Sequence, residues 1–109
     1  MLDISYLYED NAMDVNYEYY KVFYYVGKYQ NITKAAQALG SSQPNVTRVL
    51  KLLESALGCK LLLRSNKGIS LTEKGELLYE RVSAAFFQIQ AAEEELNCGG
   101  KLVEGTIIL

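Results

Sequence analysis

The apolar residues of this chain fall into stretches with helical spacing, interrupted by two short continuous runs. Tyr19, Val22, Phe23 and Val26 recur at helical intervals and predict an amphipathic helix from about Asn16 to Tyr29. An aromatic stripe at this spacing is packing surface, so Tyr19, Tyr20 and Phe23 are read as core. A second, short helix is expected from Asn31-Ile32-Thr33 to Leu39, with Ala35, Ala36 and Leu39 inward. Asn31 or Thr33 can cap its first N–H groups, and Gly40 supplies the left-handed residue that ends it. The paired alanines let another helix backbone approach closely. The chain restarts immediately, because Ser42 is a good N-cap and Pro44 lies in the first turn, where its missing N–H breaks no helical bond. Val46, Val49, Leu50, Leu53 and Leu57 then form one buried stripe up to Gly58. The opposite face holds Pro44, Thr47, Arg48, Lys51 and Ser55, with Gln43 and Asn45 on the exposed first turn.

After Gly58, the segments Cys59 to Arg64 and Gly68 to Leu71 read as two short strands joined by a Ser65-Asn66-Lys67-Gly68 tip. Thr72 caps a long helix, Glu73 to Asn97, closed by Gly99-Gly100. Within it Leu78, Val82, Ala85, Ile89, Ala92 and Leu96 alternate spacings of four and three, a heptad seam. Some 25 residues make about 37 Å of helix, longer than a domain this small can cover. Its first half is expected on its own domain and much of the seam against a second chain, with Phe86 and Phe87 adding contact area. The pattern divides the chain into an acidic extension (1–15), a compact domain (16–72), the long helix (73–98) and a hinge with the start of a strand (99–109). Thr106-Ile107-Ile108-Leu109 opens an apolar strand, and the chain is read as cut short there.

The composition narrows the chemistry. At 109 residues, half of them hydrophobic, the chain can bury one modest core. It contains no histidine, which removes imidazole acid–base relays, Ser-His triads and zinc sites that need an imidazole. Cys59 and Cys98 make no Cys-x-x-Cys pair, so neither a metal clamp nor a disulfide framework is indicated. No metal site is expected. No apolar run approaches a membrane span and the first residues lack the character of a secretory leader, so a cytoplasmic protein is expected.

The formal net charge of -2 counts against a polyanionic partner until its distribution is considered. Residues 1–20 hold five acids and no Lys or Arg, and residues 76–109 hold six acids against Arg81 and Lys101. Residues 21–75 carry nine Lys and Arg against Glu54 and Glu73, a local excess of seven positive charges. That basic segment contains the short helix, the tight turn and the second helix with amide, hydroxyl and guanidinium groups on its outer face. Such a helix-turn-helix places its second helix in the major groove of DNA, and the following hairpin, with Arg64 and Lys67, reads as a basic wing. The fold class is therefore mostly α: a winged helix-turn-helix of three helices and a two-stranded wing, followed by a long dimerisation helix.

The stretch from Tyr20 to Leu96 resembles the N-terminal domain and linker helix of LysR-type transcriptional regulators. The matching residues are Phe23, Thr33-Lys34-Ala35-Ala36 with Leu39, Ser42-Gln43-Pro44, Leu53-Glu54 with Leu57-Gly58, Leu61 and Arg64, and Leu71-Thr72-Glu73-Lys74-Gly75. Asn31, Thr47, Val49 and Leu62 depart from the residues usual in the family, and the acidic extension is longer than usual. The resemblance implies a bacterial sequence-specific regulator that binds double-stranded DNA. It further implies a homodimer formed through the long helix, often a dimer of dimers at full length. No cofactor is expected in this portion; a small-molecule effector belongs to a C-terminal domain beyond it. Carried over by position, Gln43, Asn45, Thr47 and Arg48 are expected at base edges, where Gln and Asn pair with adenine and Arg with guanine. Thr33, Pro44, Lys51, Arg64 and Lys67 are expected on the backbone and wing side. Leu78, Val82, Ala85, Phe86, Ile89, Ala92 and Leu96 are expected at the dimer contact.

Two other classes are weighed against this. A winged helix-turn-helix used for protein contacts alone would show no salt-dependent binding to duplex DNA. An enzyme would have to rely on carboxylates such as Glu93-Glu94-Glu95, with no pocket implied, so no enzymatic activity is expected.

Overall fold

The structure is a computed structural model that describes residues 17–98. The readings made above for 1–15 and 99–109 lie outside the described residues. Within them the backbone forms two compact units, 17–79 and 80–98. Helix α1 spans Tyr17–Tyr29, α2 Ile32–Leu39 and α3 Gln43–Leu57. Strands β1 (Leu62–Ser65) and β2 (Gly68–Leu71) follow, and α4 runs from Glu73–Cys98.

Each boundary has a local cause. Helix α1 stops at Gln30, which takes the left-handed conformation at φ 50° and returns its N–H to the Val26 carbonyl at 2.7 Å. Asn31, not Thr33, caps α2: its side chain accepts from the Lys34 N–H at 2.8 Å. Gly40 closes α2 at φ 66°, and Ser42 opens α3 two residues later by accepting the Asn45 N–H at 3.2 Å. Only a left-handed residue at position 40 lets so short a connection reverse the chain, and glycine adopts it without a Cβ penalty.

The core of the first unit is built from the stripes that the spacing predicts. Phe23, Val26, Val46, Leu53 and Leu61 are fully buried, joined by Val22, Ala35, Ala36, Val49 and Leu50. Burying Phe23 alone contributes about 2–3 kcal/mol. Ala35 and Ala36, nearly without exposed surface, lie in this cluster with residues of α1 and α3. Tyr79, at the end of the unit, stacks on Tyr24 (centroids 5.5 Å apart, 12° between planes) and meets the edge of Phe23. Gly27 makes room for that ring, since a Cβ there would lie 2.5 Å from it.

One expectation needs correcting: the first strand begins at Leu62, not at Cys59. The preceding backbone is engaged elsewhere. The Glu54 carboxylate accepts the N–H of Leu61 at 2.8 Å and of Leu62 at 3.1 Å. On the other side, Thr72 donates its N–H to the Leu61 carbonyl and its hydroxyl to the Lys60 carbonyl. Residues 60 and 61 are thus clasped between α3 and the start of α4, and antiparallel pairing starts only at Leu62 opposite Leu71. It ends at Ser65 opposite Gly68, which leaves Asn66 and Lys67 as the two-residue tip.

Candidate nucleic-acid interface

The outer face of α3 is where the basic segment meets solvent. Val46, Val49, Leu50 and Leu53 turn the helix into the core. That fixes the opposite side outward: Gln43, Pro44, Thr47, Arg48 and Lys51 line one open groove. Thr47 is half-buried and the other four are exposed. An amide, a hydroxyl, a guanidinium and an ammonium thus share a surface a little over two turns long. Such a row can donate to acceptors on a base edge and to phosphate oxygens beside it.

A second concavity, of about 300 Å³, lies between the start of α2 and the wing. It is lined by Gln30, Asn31, Ile32 and Thr33 on one side and by Arg64, Ser65, Lys67 and Gly68 on the other, with Ile69 below. Two cations therefore face the N-terminal turn of a helix, whose partial positive charge has the same sign. Thr33, displaced from the capping role by Asn31, is exposed here. A third recess, bordered by Thr47, Lys51, Glu54, Lys60 and Arg64, joins the flank of α3 to the wing.

Of the four residues expected to read bases, Gln43, Thr47 and Arg48 line the α3 groove. Asn45 is different. Both ends of its amide are occupied: Nδ2 donates to Ser41 Oγ at 2.9 Å and Oδ1 accepts from Arg48 Nη2 at 2.8 Å. Pro44 and Lys51 sit in the same groove, while Thr33, Arg64 and Lys67 gather at the wing cleft. Two contributors escaped sequence reasoning. Glu54 was visible only as part of a motif, and Ser41 only as a turn residue. The available signal was residue type and place: a carboxylate in the last turn of α3 and a hydroxyl in the tight turn before it.

The residues expected at a dimer contact separate into two groups. Leu78 is half-buried and packs on the core of the first unit. Val82 is buried and Phe86 half-buried. Ala85, Ile89, Ala92 and Leu96 are exposed, Ile89 at 46% and Leu96 at 80%, and Phe87 beside them is 67% exposed. The later part of the seam is the part left open on the surface of this chain.

Residues 17–76 match the family described as bacterial regulatory helix-turn-helix proteins of the lysR type. The chain belongs to the LysR family. Among curated LysR-family relatives it is 37% identical over 86 residues to the HTH-type transcriptional regulator BbuR of Bordetella bronchiseptica, covering 79% of this chain and 26% of BbuR. To CysL of Bacillus subtilis it is 35% identical over 91 residues, covering 84% of this chain and 30% of CysL. The chain thus spans between a quarter and a third of the length of these relatives. Among solved LysR-family structures, the DNA-binding domain of CbnR in complex with DNA superposes with a TM-score of 0.68 at 30% identity, covering 80% of this chain and all of that one. The DNA-binding domain of BenM in complex with benA site 1 DNA gives 0.70 at 26% identity, covering 75% of this chain and 95% of that one. Among the described residues no helix is long and apolar enough to cross a membrane.

Proposed function

We propose that this chain is the sequence-specific DNA-binding domain of a dimeric, cytoplasmic LysR-type transcriptional regulator. The observation that carries the reading is the single groove in which α3 presents Gln43, Thr47, Arg48 and Lys51 on its outer face. In the major groove, Arg48 donates to guanine, Gln43 pairs with adenine by donating to N7 and accepting from its amino group, and Thr47 contacts either. Lys51 and Pro44 border the backbone. The cleft formed by Thr33, Arg64 and Lys67 receives a phosphate or the rim of the minor groove, which fixes the register without reading sequence. The DNA complexes of the BenM and CbnR domains support this reading through their likeness to this fold. The exposed positions Ala85, Ile89, Ala92 and Leu96 form the contact between two copies. In a protein of the relatives' length, a further domain would carry the effector.

The test is binding of the chain to duplexes selected for affinity. Arg48→Ala should lose about 1–3 kcal/mol of discrimination against a changed base pair at one position per half-site. Unaltered discrimination in that variant would remove Arg48 from the reading face.

A further inference from the structure

Asn45 lies on the first turn of the recognition helix, yet its amide does not line the groove that Gln43, Thr47 and Arg48 share. A guanidinium can only donate, so the atom facing Arg48 Nη2 at 2.8 Å must be the amide oxygen. The amide nitrogen is thereby turned to Ser41 Oγ, 2.9 Å away in a half-buried contact. Ser41 is itself held in the tight turn, where its N–H donates to the Ala36 carbonyl at 2.9 Å. A chain of side-chain contacts therefore runs from the turn, through Asn45, to the exposed head of Arg48.

We propose that Asn45 is a positioning residue: it does not read a base but brackets the Arg48 guanidinium in its reading orientation. The proposal rests on Arg48 being the base reader. The bracket uses one of the five guanidinium N–H donors, and four remain, more than the two that guanine O6 and N7 accept. An exposed arginine surrenders much of its rotamer freedom on docking. An arginine already held by Asn45 surrenders less, and the difference is realised only where a guanine is present to use the held geometry. Asn45 therefore sharpens specificity at the base that Arg48 contacts and has no base of its own. Ser41 supports the bracket from the turn side, which links the geometry of the turn to the choice of sequence.

The experiment is selection of bound sequences from a randomised duplex pool by the native chain, Asn45→Ala, Asn45→Asp and Arg48→Ala. Arg48→Ala should flatten the preference at one position per half-site. Asn45→Ala should weaken the preference at that same position by roughly three- to tenfold, the loss expected for one oriented hydrogen bond, and leave other positions unchanged. Asn45→Asp keeps an oxygen for the guanidinium and should retain the preference while lowering affinity everywhere, because its charge repels phosphate. Alanine is the better helix former and the Ser42 cap bonds only the backbone N–H of residue 45, so the variants should melt with the native chain. The proposal is overturned if Asn45→Ala erases a preference that Arg48→Ala leaves intact, since Asn45 then reads its own base. It is equally overturned if Asn45→Ala selects the native sequences with native sharpness. A native profile from Arg48→Ala would instead overturn the underlying role of Arg48, and the bracket with it.

Discussion

Replacing Glu54 with alanine should damage the fold more than its position near the surface suggests. Its Oε2 accepts two backbone N–H groups, from Leu61 at 2.8 Å and Leu62 at 3.1 Å, and Leu61 is only 1% exposed. A hydrogen bond to a charged acceptor contributes about 1.5–3 kcal/mol, and an orphaned buried N–H costs about 1–3 kcal/mol. The two bonds share one oxygen and the Glu54 side chain keeps 15% of its surface in water, so they do not add fully. A loss of about 2–4 kcal/mol follows for Glu54→Ala, a large share of the roughly 5 kcal/mol that a small domain has. Glu54→Gln keeps an amide oxygen in the same place and should lose only about 1 kcal/mol. Lys60, whose Nζ lies 4.0 Å from the carboxylate and whose side chain is 77% exposed, contributes little, so Lys60→Ala should change stability by less than about 0.5 kcal/mol. Urea unfolding followed by circular dichroism, at one protein concentration so that assembly contributes equally, measures all three. A cost below about 1 kcal/mol for Glu54→Ala, or an equal cost for Glu54→Gln and Glu54→Ala, would show that the carboxylate does not hold these N–H groups; about 1 kcal/mol is the floor set by one unmade bond.

Other changes should separate the roles of the remaining elements. At Gly75 an added Cβ would run into the Leu61 carbonyl, which is backbone and cannot swing aside. Gly75→Ala should therefore cost about 3 kcal/mol or more in the same urea assay, and a loss below 1 kcal/mol would mean that the approach of α4 to residue 61 is looser than described. On the exposed part of α4, Ile89→Asp with Leu96→Asp should convert a dimer to monomers in sedimentation equilibrium. Each apolar side chain loses about 1.5–3 kcal/mol of burial, while the fold of the first unit is untouched. A double variant that still sediments as a dimer would place the contact elsewhere.

Most of the fold was legible because periodicity, caps and breakers agree. The stripe from Val46 to Leu57, the Ser42 cap and the Gly58 stop define α3 by three independent signals, and each corresponds to a bond or a buried face in the structure. The strand beginning at Cys59 was misplaced because an apolar run carries no information about which N–H groups a distant carboxylate will claim; Glu54 settles that through contacts seven and eight residues away. The choice between Asn31 and Thr33 as cap was open for a similar reason, since both residue types can accept the N–H that decides it. Among the groove residues, type and helical position sufficed to find Gln43, Thr47 and Arg48. The bond between Asn45 and Arg48 was not legible, because residues three apart on a helix can either meet or point apart, and only the side-chain geometry chooses. The spacing of the heptad seam alone does not separate Leu78, packed on its own domain, from Ile89, left open.

The basic groove and wing are proposed to bind duplex DNA through phosphates as well as bases. The salt dependence of binding to a random-sequence duplex, for the native chain and for Lys67→Ala, tests this. Lys51 lines the groove and Arg64 and Lys67 the wing cleft; with these three cations on phosphates in each copy, as proposed, log K against log salt should fall with a slope of about -2.7 per copy, or about -5 for a dimer. Lys67→Ala should weaken all duplexes alike and flatten the slope by about one for each copy bound. A slope near zero, or one unchanged in Lys67→Ala, would contradict it.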